Sequence, residues 1–131
     1  SLAGITGATY SAISAGVDYT DALGSLAVAE KLSVGGKADL NNSLVTIVST
    51  LNAYGLSTEH AADVSDTLFT AVKFGQTTIP ELSASLAQVT GTAAAAGVPF
   101  DTLAAAIAGL TATGLPTSQA ITGIKAALAN I

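Results

Sequence analysis

The residues able to carry chemistry in this sequence are few, and their spacing limits what each could do. His60, the single histidine, stands beside Glu59 and one helical turn before Asp63. A Glu/His/Asp group spaced this way on one helix could ligate a metal ion. The same residues, with Asp66 and Lys73, also fall on the polar side of an amphipathic pattern whose apolar stripe is Ala61, Val64, Leu68, Ala71 and Val72. A solvated face near a helix N-terminus, where negative charge is favourable, accounts for them without a ligand. Asp18 and Asp21 form a carboxylate pair of the type used in acid–base chemistry. They begin a helix, where capping and the helix dipole favour acidic side chains, and no second pair can be set opposite them.

Nucleophilic and phosphate chemistry find no better footing. The serines have no base except His60, and no nucleophile-elbow pattern occurs. No strand, glycine loop and lysine come in the order that cradles a phosphate. Without cysteine there is no thiolate, no disulfide framework and no zinc–thiolate site. The sequence therefore predicts no catalytic residue, no cofactor-binding residue, no metal ligand and no enzymatic activity.

The elements that would position these residues are legible from glycine and apolar spacing. Glycines recur at Gly16, Gly35/Gly36, Gly55, Gly75, Gly97 and Gly114, about one helix apart, and between them apolar residues follow helical periodicity. Leu40, Leu44, Ile47, Leu51 and Tyr54 form one stripe; Leu82, Leu86, Val89 and Ala93 form another. Leu103, Ala106, Ile107 and Leu110 follow, then Ile121, Ile124 and Leu128. Nearer the start, Leu23, Leu26 and Ala29 mark a helix, and Leu2, Ile5, Thr9 and Ala12 a weaker one.

Four junctions repeat one order: Gly16-Val17-Asp18, Gly55-Leu56-Ser57, Gly97-Val98-Pro99 and Gly114-Leu115-Pro116. Glycine ends a helix in the left-handed conformation, the apolar residue staples the two helices, and Ser, Asp or Pro starts the next. Thr78-Ile79-Pro80-Glu81 has the pattern of a capping box. Connections this short force consecutive helices together. The expectation is an all-α fold, a compact array of about seven helices over a single domain, residues 1–131. The alanine runs at 93–96 and 104–106 would let helix axes approach closely, and Gly91/Ala95 and Ala93/Gly97 are candidate contact faces.

Composition narrows the partners. Only 10% of residues are charged and half are hydrophobic, with a net charge of −5 from nine acidic residues against four lysines. Nucleic acid needs clustered Lys and Arg, so no nucleic-acid recognition is expected, and an anionic membrane surface is a poor match. The uncharged stretches 82–100 and 102–124 are long enough to span a membrane. They are nonetheless rich in Ala, Thr, Ser and Gly and broken by Pro99 and Pro116. A charge-poor surface favours self-association or burial in an assembly. Because the first residue is Ser1, the chain reads as a fragment of a longer protein.

Several segments together resemble one family. These are Leu51-Asn52-Ala53-Tyr54-Gly55-Leu56-Ser57, Ala61-Ala62-Asp63-Val64 with Asp66-Thr67-Leu68, and Gly75 with Thr77-Thr78, Glu81-Leu82, Val89 and Ala93. Stronger still is Gly97-Val98-Pro99-Phe100 with Leu103-Ala104-Ala105, Leu110-Thr111-Ala112 and Gly114-Leu115, closing on Gln119-Ala120-Ile121-Thr122-Gly123-Ile124-Lys125. In this order they resemble the core domain of phage tail tape measure proteins, from about residue 32 to 131 and more faintly before. The closing segment departs from the family pattern, with Ile121 in place of a glycine and Lys125 where arginine is usual.

The resemblance implies a structural protein of a virion or prophage. Such proteins run through the tail lumen, set tail length during assembly and leave ahead of the DNA. It also implies other tail proteins, and copies of the chain itself, as partners. The implied location is the phage tail, or the bacterial cytoplasm for a prophage product. A ruler needs length proportional to residue number, whereas this chain folds back at each glycine. The expectation is thus a compact domain attached to the ruler. The alternative from another class is a membrane-interacting module around residues 82–124 that aids DNA passage.

Overall fold

A computed structural model of the chain describes residues 19–35 and 39–130. Its regular structure is helical throughout these residues, which makes the fold all-α. The helices are α1 (Tyr19–Gly35), α2 (Leu40–Tyr54), α3 (Ala61–Phe74), α4 (Ile79–Ser85), α5 (Ala87–Ala95), α6 (Phe100–Ala112) and α7 (Thr117–Ala129), with a 3₁₀ turn, Thr58–His60, before α3. The stripe Leu2, Ile5, Thr9 and Ala12 and the junction Gly16-Val17-Asp18 lie outside the described residues. The described count reaches seven because the stripe expected as one helix over Leu82 to Ala93 is divided. The two helices part only at the turn residue Leu86, whose dihedrals stay helical (φ −60°, ψ −36°) and which keeps the bonds from Leu86 N to Leu82 O and from Thr90 N to Leu86 O, so α4 leads directly into α5.

Helix α2 is the centre. It packs against α1, α3, α4 and α5, while α6 lies on α3 and α7 closes over α4, α5 and α6. Its buried face is wider than the apolar stripe, because Ser43, Thr46 and Thr50 are buried beside Leu44, Ile47, Val48 and Leu51. Hydroxyls enter the core at little cost because each donates to the carbonyl one turn back. Thr46 Oγ1 bonds Asn42 O at 2.7 Å, Thr50 Oγ1 bonds Thr46 O at 2.8 Å, and Ser43 Oγ bonds Asp39 O at 3.1 Å. Around this helix gather Leu26, Ala29 and Leu32 of α1, Val64 and Leu68 of α3, and Ile79 and Leu82 of α4. Val89 and Ala93 of α5, Leu103 and Ile107 of α6 and Ile121 of α7 complete the core. Each large aliphatic side chain taken from water contributes about 1.5–3 kcal/mol. Ala106 and Leu110, assigned to the α6 stripe from sequence, are exposed.

The glycine junctions form as expected at three places. Gly55, Gly97 and Gly114 have φ of 64°, 78° and 101°. At Gly55 and Gly97 the next amide returns to the helix just ended: Leu56 N donates to Leu51 O at 2.9 Å and Val98 N to Ala93 O at 2.9 Å. These bonds satisfy carbonyls that a helix end otherwise leaves open. The apolar residue that follows is less uniform. Val98 packs on the core and Leu115 is half-buried, but Leu56 is exposed.

Helix starts correct the sequence reading in detail. Ser57 makes no side-chain cap bond, because the 3₁₀ turn intervenes before α3. Pro99 and Pro116 occupy the N-cap positions themselves, with extended ψ of 153° and 145°, and their carbonyls accept the first helical bonds from Leu103 N and Ala120 N. Asp39, not singled out by pattern, caps α2 by accepting from Asn42 N at 2.7 Å. Thr78 caps α4 through Glu81 N at 3.3 Å, but the reciprocal half of the capping box is absent: the Glu81 carboxylate turns to Thr117 instead.

Candidate functional site

His60 and its two carboxylates do not converge. The Nε2 atom of His60 is 3.7 Å from Glu59 Oε1, and Nδ1 is 3.8 Å from Asp63 Oδ2, with both carboxylates well exposed. The two acids face opposite nitrogens of one ring, so no single point lies within metal-bonding range, about 2 Å, of all three. Among the described residues no group of three or more His, Cys, Asp or Glu side chains could hold a metal ion. Asp18 and the side chain of Asp21 lie outside the described residues. The serine hydroxyls that hydrogen-bond do so to helical carbonyls, as Ser33 to Glu30 O at 2.9 Å and Ser49 to Thr46 O at 3.3 Å.

A groove lies between α3 and α6. Phe100 and Asp101 begin α6 beside Tyr54, just before α3. The Tyr54 and Phe100 rings meet edge-to-face at 5.9 Å, and Tyr54 Oη donates to Val98 O at 2.8 Å. At the other end Gly75 lies against α6, where a Cβ on it would sit 2.6 Å from Thr111 Oγ1 and 2.8 Å from Ala108 Cα. The two helices therefore run parallel, and the contact just past the end of α3 leaves no room for a side chain at Gly75. Thr111 fastens this end, since its Oγ1 accepts from Gln76 N at 3.1 Å while donating to Ile107 O at 2.8 Å. Close approach through small residues was expected from the alanine runs. Of those runs Ala93 and Ala104 are buried, whereas Ala95, Ala96, Ala105 and Ala106 are exposed, as is Gly91; the contact of Gly75 with Ala108 lies outside them.

The groove encloses about 480 Å³. Its floor is Ala71, Ala104, Ala105, Ala108, Gly109 and Ala112, with Phe74 at the Gly75 end and Asp66 and Asp101 at the other. Phe74 is 68% exposed, and the Lys73 ammonium lies over its ring, 5.4 Å from the centroid. Neither acid at the groove mouth has a cation partner among the described residues; Asp101 Oδ1 accepts from Thr102 N at 2.8 Å. Burial, and to a lesser degree Asp101, holds the Tyr54 phenol above its ordinary pKa of 10.0. Sequence reasoning missed this groove. The available signal was Phe74, lying off the apolar stripe of α3 and exposed there.

Among the described residues the fold is all-α, and its regular elements are helices joined by short turns. A sequence profile of the family described as phage-related minor tail protein matches residues 1–131. The chain belongs to that family, and its role is structural, in a phage tail. It is also 35% identical over 100 residues to a protein named probable tape measure protein from Clostridium phage phiCD119. That alignment covers 73% of this chain and 11% of the relative, so the chain spans about a ninth of that protein's length. No solved structure matches the chain.

Proposed function

We propose that this chain is one compact helical domain of a tape measure protein, acting through contacts with other tail proteins in tail assembly. It has no catalytic part in that role and sits in the virion tail, or in the bacterial cytoplasm when made from a prophage. The likeness to a probable tape measure protein over 100 residues supports the assignment. The observation that carries the division of labour is the folding back of the chain at Gly55, Gly75, Gly97 and Gly114. A segment wound this way adds little to end-to-end length, so it is attached to the ruler and does not form part of its graduated length. No helix among the described residues is long and apolar enough to cross a membrane, and the stretches 82–100 and 102–124 are each divided among two or more helices.

The test is an in-frame deletion of these 131 residues from the full protein in its phage, with tail lengths measured by electron microscopy. As a continuous helix the segment would contribute roughly 200 Å at 1.5 Å per residue. The expected result is a drop in the number of tails assembled, with the length of those formed changed by far less than that. Tails shortened in proportion to the deleted residues would reject the proposal.

A further inference from the structure

We infer that the α3/α6 groove receives one amphipathic helix of a different tail protein, lying antiparallel to α3 and α6 with a lysine or arginine in its last turn. The inference rests on the reading of this domain as one that acts through contacts with other tail proteins, and it adds the chemistry of the partner.

The shape of the groove selects a helix. Its walls are two helices, whose backbone groups are engaged in their own ladders, and its floor is Ala104, Ala105, Ala108, Gly109 and Ala112. An extended peptide laid on that floor would leave its own amides and carbonyls facing methyl groups, without partners. A helix arrives with its backbone already paired and presents only side chains. The small floor residues leave space for large ones, so the occupant fills it with Leu, Ile or Phe at i, i+3 or i+4, and i+7. From Asp101 to Ala112 the floor runs about 16 Å along α6, three helical turns.

The charges select the direction and the basic residue. Asp66 and Asp101 are the only charged side chains lining the groove among the described residues, and both stand at the end where α6 starts. Asp101 has a local reason to be acidic, since the dipole favours negative charge in the first turn of α6. Asp66 has none: it lies beyond the first turn of α3, and its carboxylate has neither an ion pair nor a hydrogen bond among the described residues. One ammonium or guanidinium entering at that end answers both acids and leaves no charge in the groove over. A helix antiparallel to α6 ends there, so its carbonyl end faces the amide end of α6. Its own dipole then favours the last-turn Lys or Arg that the two acids attract. Run parallel, the same basic residue would stand in the occupant's first turn, where its dipole opposes it. The other end is apolar, and the exposed Phe74 ring covers the occupant's first turn.

The test is made in the phage, on the full-length protein, with tails counted by electron microscopy. Asp66→Lys sets a like charge against the incoming cation, and Gly109→Leu fills the floor. Each should cut the number of tails about tenfold or more. Both positions are exposed, and a Cβ at Gly109 meets nothing within 4 Å; circular dichroism of the 131-residue chain checks that each variant keeps its helix content. Asp63→Lys makes the same charge change on α3 outside the groove and should leave the count unchanged. Plaque-forming revertants of Asp66→Lys should carry a Lys or Arg exchanged for Asp or Glu in a helix of a second tail protein. Tail numbers unaffected by Asp66→Lys and Gly109→Leu would overturn the inference; if deleting the whole domain still reduced them, the tail-assembly reading would stand without it. An equal fall with Asp63→Lys would overturn it too, by making the effect one of charge alone. So would revertants confined to this protein, which would give the groove to another copy, or a selection that yields no exchanged basic residue.

Discussion

A methyl group added at Gly75 would meet Thr111 Oγ1, Ala108 Cα and Ala71 O at 2.6, 2.8 and 2.9 Å. Gly75 has φ −96°, so conformation does not demand glycine there; space does. Gly75→Ala should therefore cost about 1–3 kcal/mol, as overpacking does. Gly91, on the exposed side of α5, has open space around it, with nothing within 4 Å of where a methyl group would stand. Gly91→Ala should stabilise by about 0.5–1 kcal/mol by restricting the unfolded chain. Urea denaturation of both variants checks the opposite signs. Tyr54 gives a pH signature. Its phenol titrates above the usual value of 10.0 when folded, chiefly through burial and then through Asp101. The unfolded phenol then loses its proton first, so the contribution is intact below pH 10 and is lost as pH rises through the folded value. Tyr54→Phe should lower stability at pH 7 by about 0.5–1.5 kcal/mol through the lost bond to Val98 O. It should also flatten the decline above pH 10, as read from denaturation curves between pH 7 and 11.

Thr117 ties the start of α7 to the start of α4. Its Oγ1 lies 2.7 Å from Thr77 Oγ1 and 2.6 Å from Glu81 Oε2. A hydroxyl has one proton and a carboxylate only accepts, so Thr117 donates to Glu81 and receives from Thr77. Thr77 and Thr117 are both buried. Thr117→Val should cost about 1–3 kcal/mol, since it strands the Thr77 hydroxyl without a partner. Thr117→Ser, which keeps the hydroxyl, should recover most of that, as read from thermal melts of the two variants and the parent. The start of α4 was legible in the sequence because Thr78, Pro80 and Glu81 are local signals. The actual partner of Glu81 lies 36 residues away, and no local pattern encodes a contact at that separation.

At the scale of the whole molecule, the proposed role turns on length. The longest described helix, α1, has 17 residues and spans about 25 Å, and the helices that follow fold back on one core through α2. Chain length thus goes into core and contact surface, which is why removing the segment should leave tail length nearly unchanged. The buried hydroxyl of Ser25, without a hydrogen-bond partner among the described residues, has no counterpart in the periodic pattern and no role assigned to it.

Local spacing was enough for the helical class, for the register of most stripes (α6 excepted at Ala106 and Leu110) and for the left-handed turns at Gly55, Gly97 and Gly114. Each depends on residues within one or two turns of one another, where apolar period, glycine and cap chemistry act directly. The sequence also carried the likeness to tape measure proteins in the order of its segments. Tertiary structure alone decided that α2 is central, that Gly75 is required by contact and not by φ, and that Asp66, Asp101 and Phe74 share one groove. These depend on which helices become neighbours, a choice set by burying every stripe at once around a common core, and no single stripe contains it.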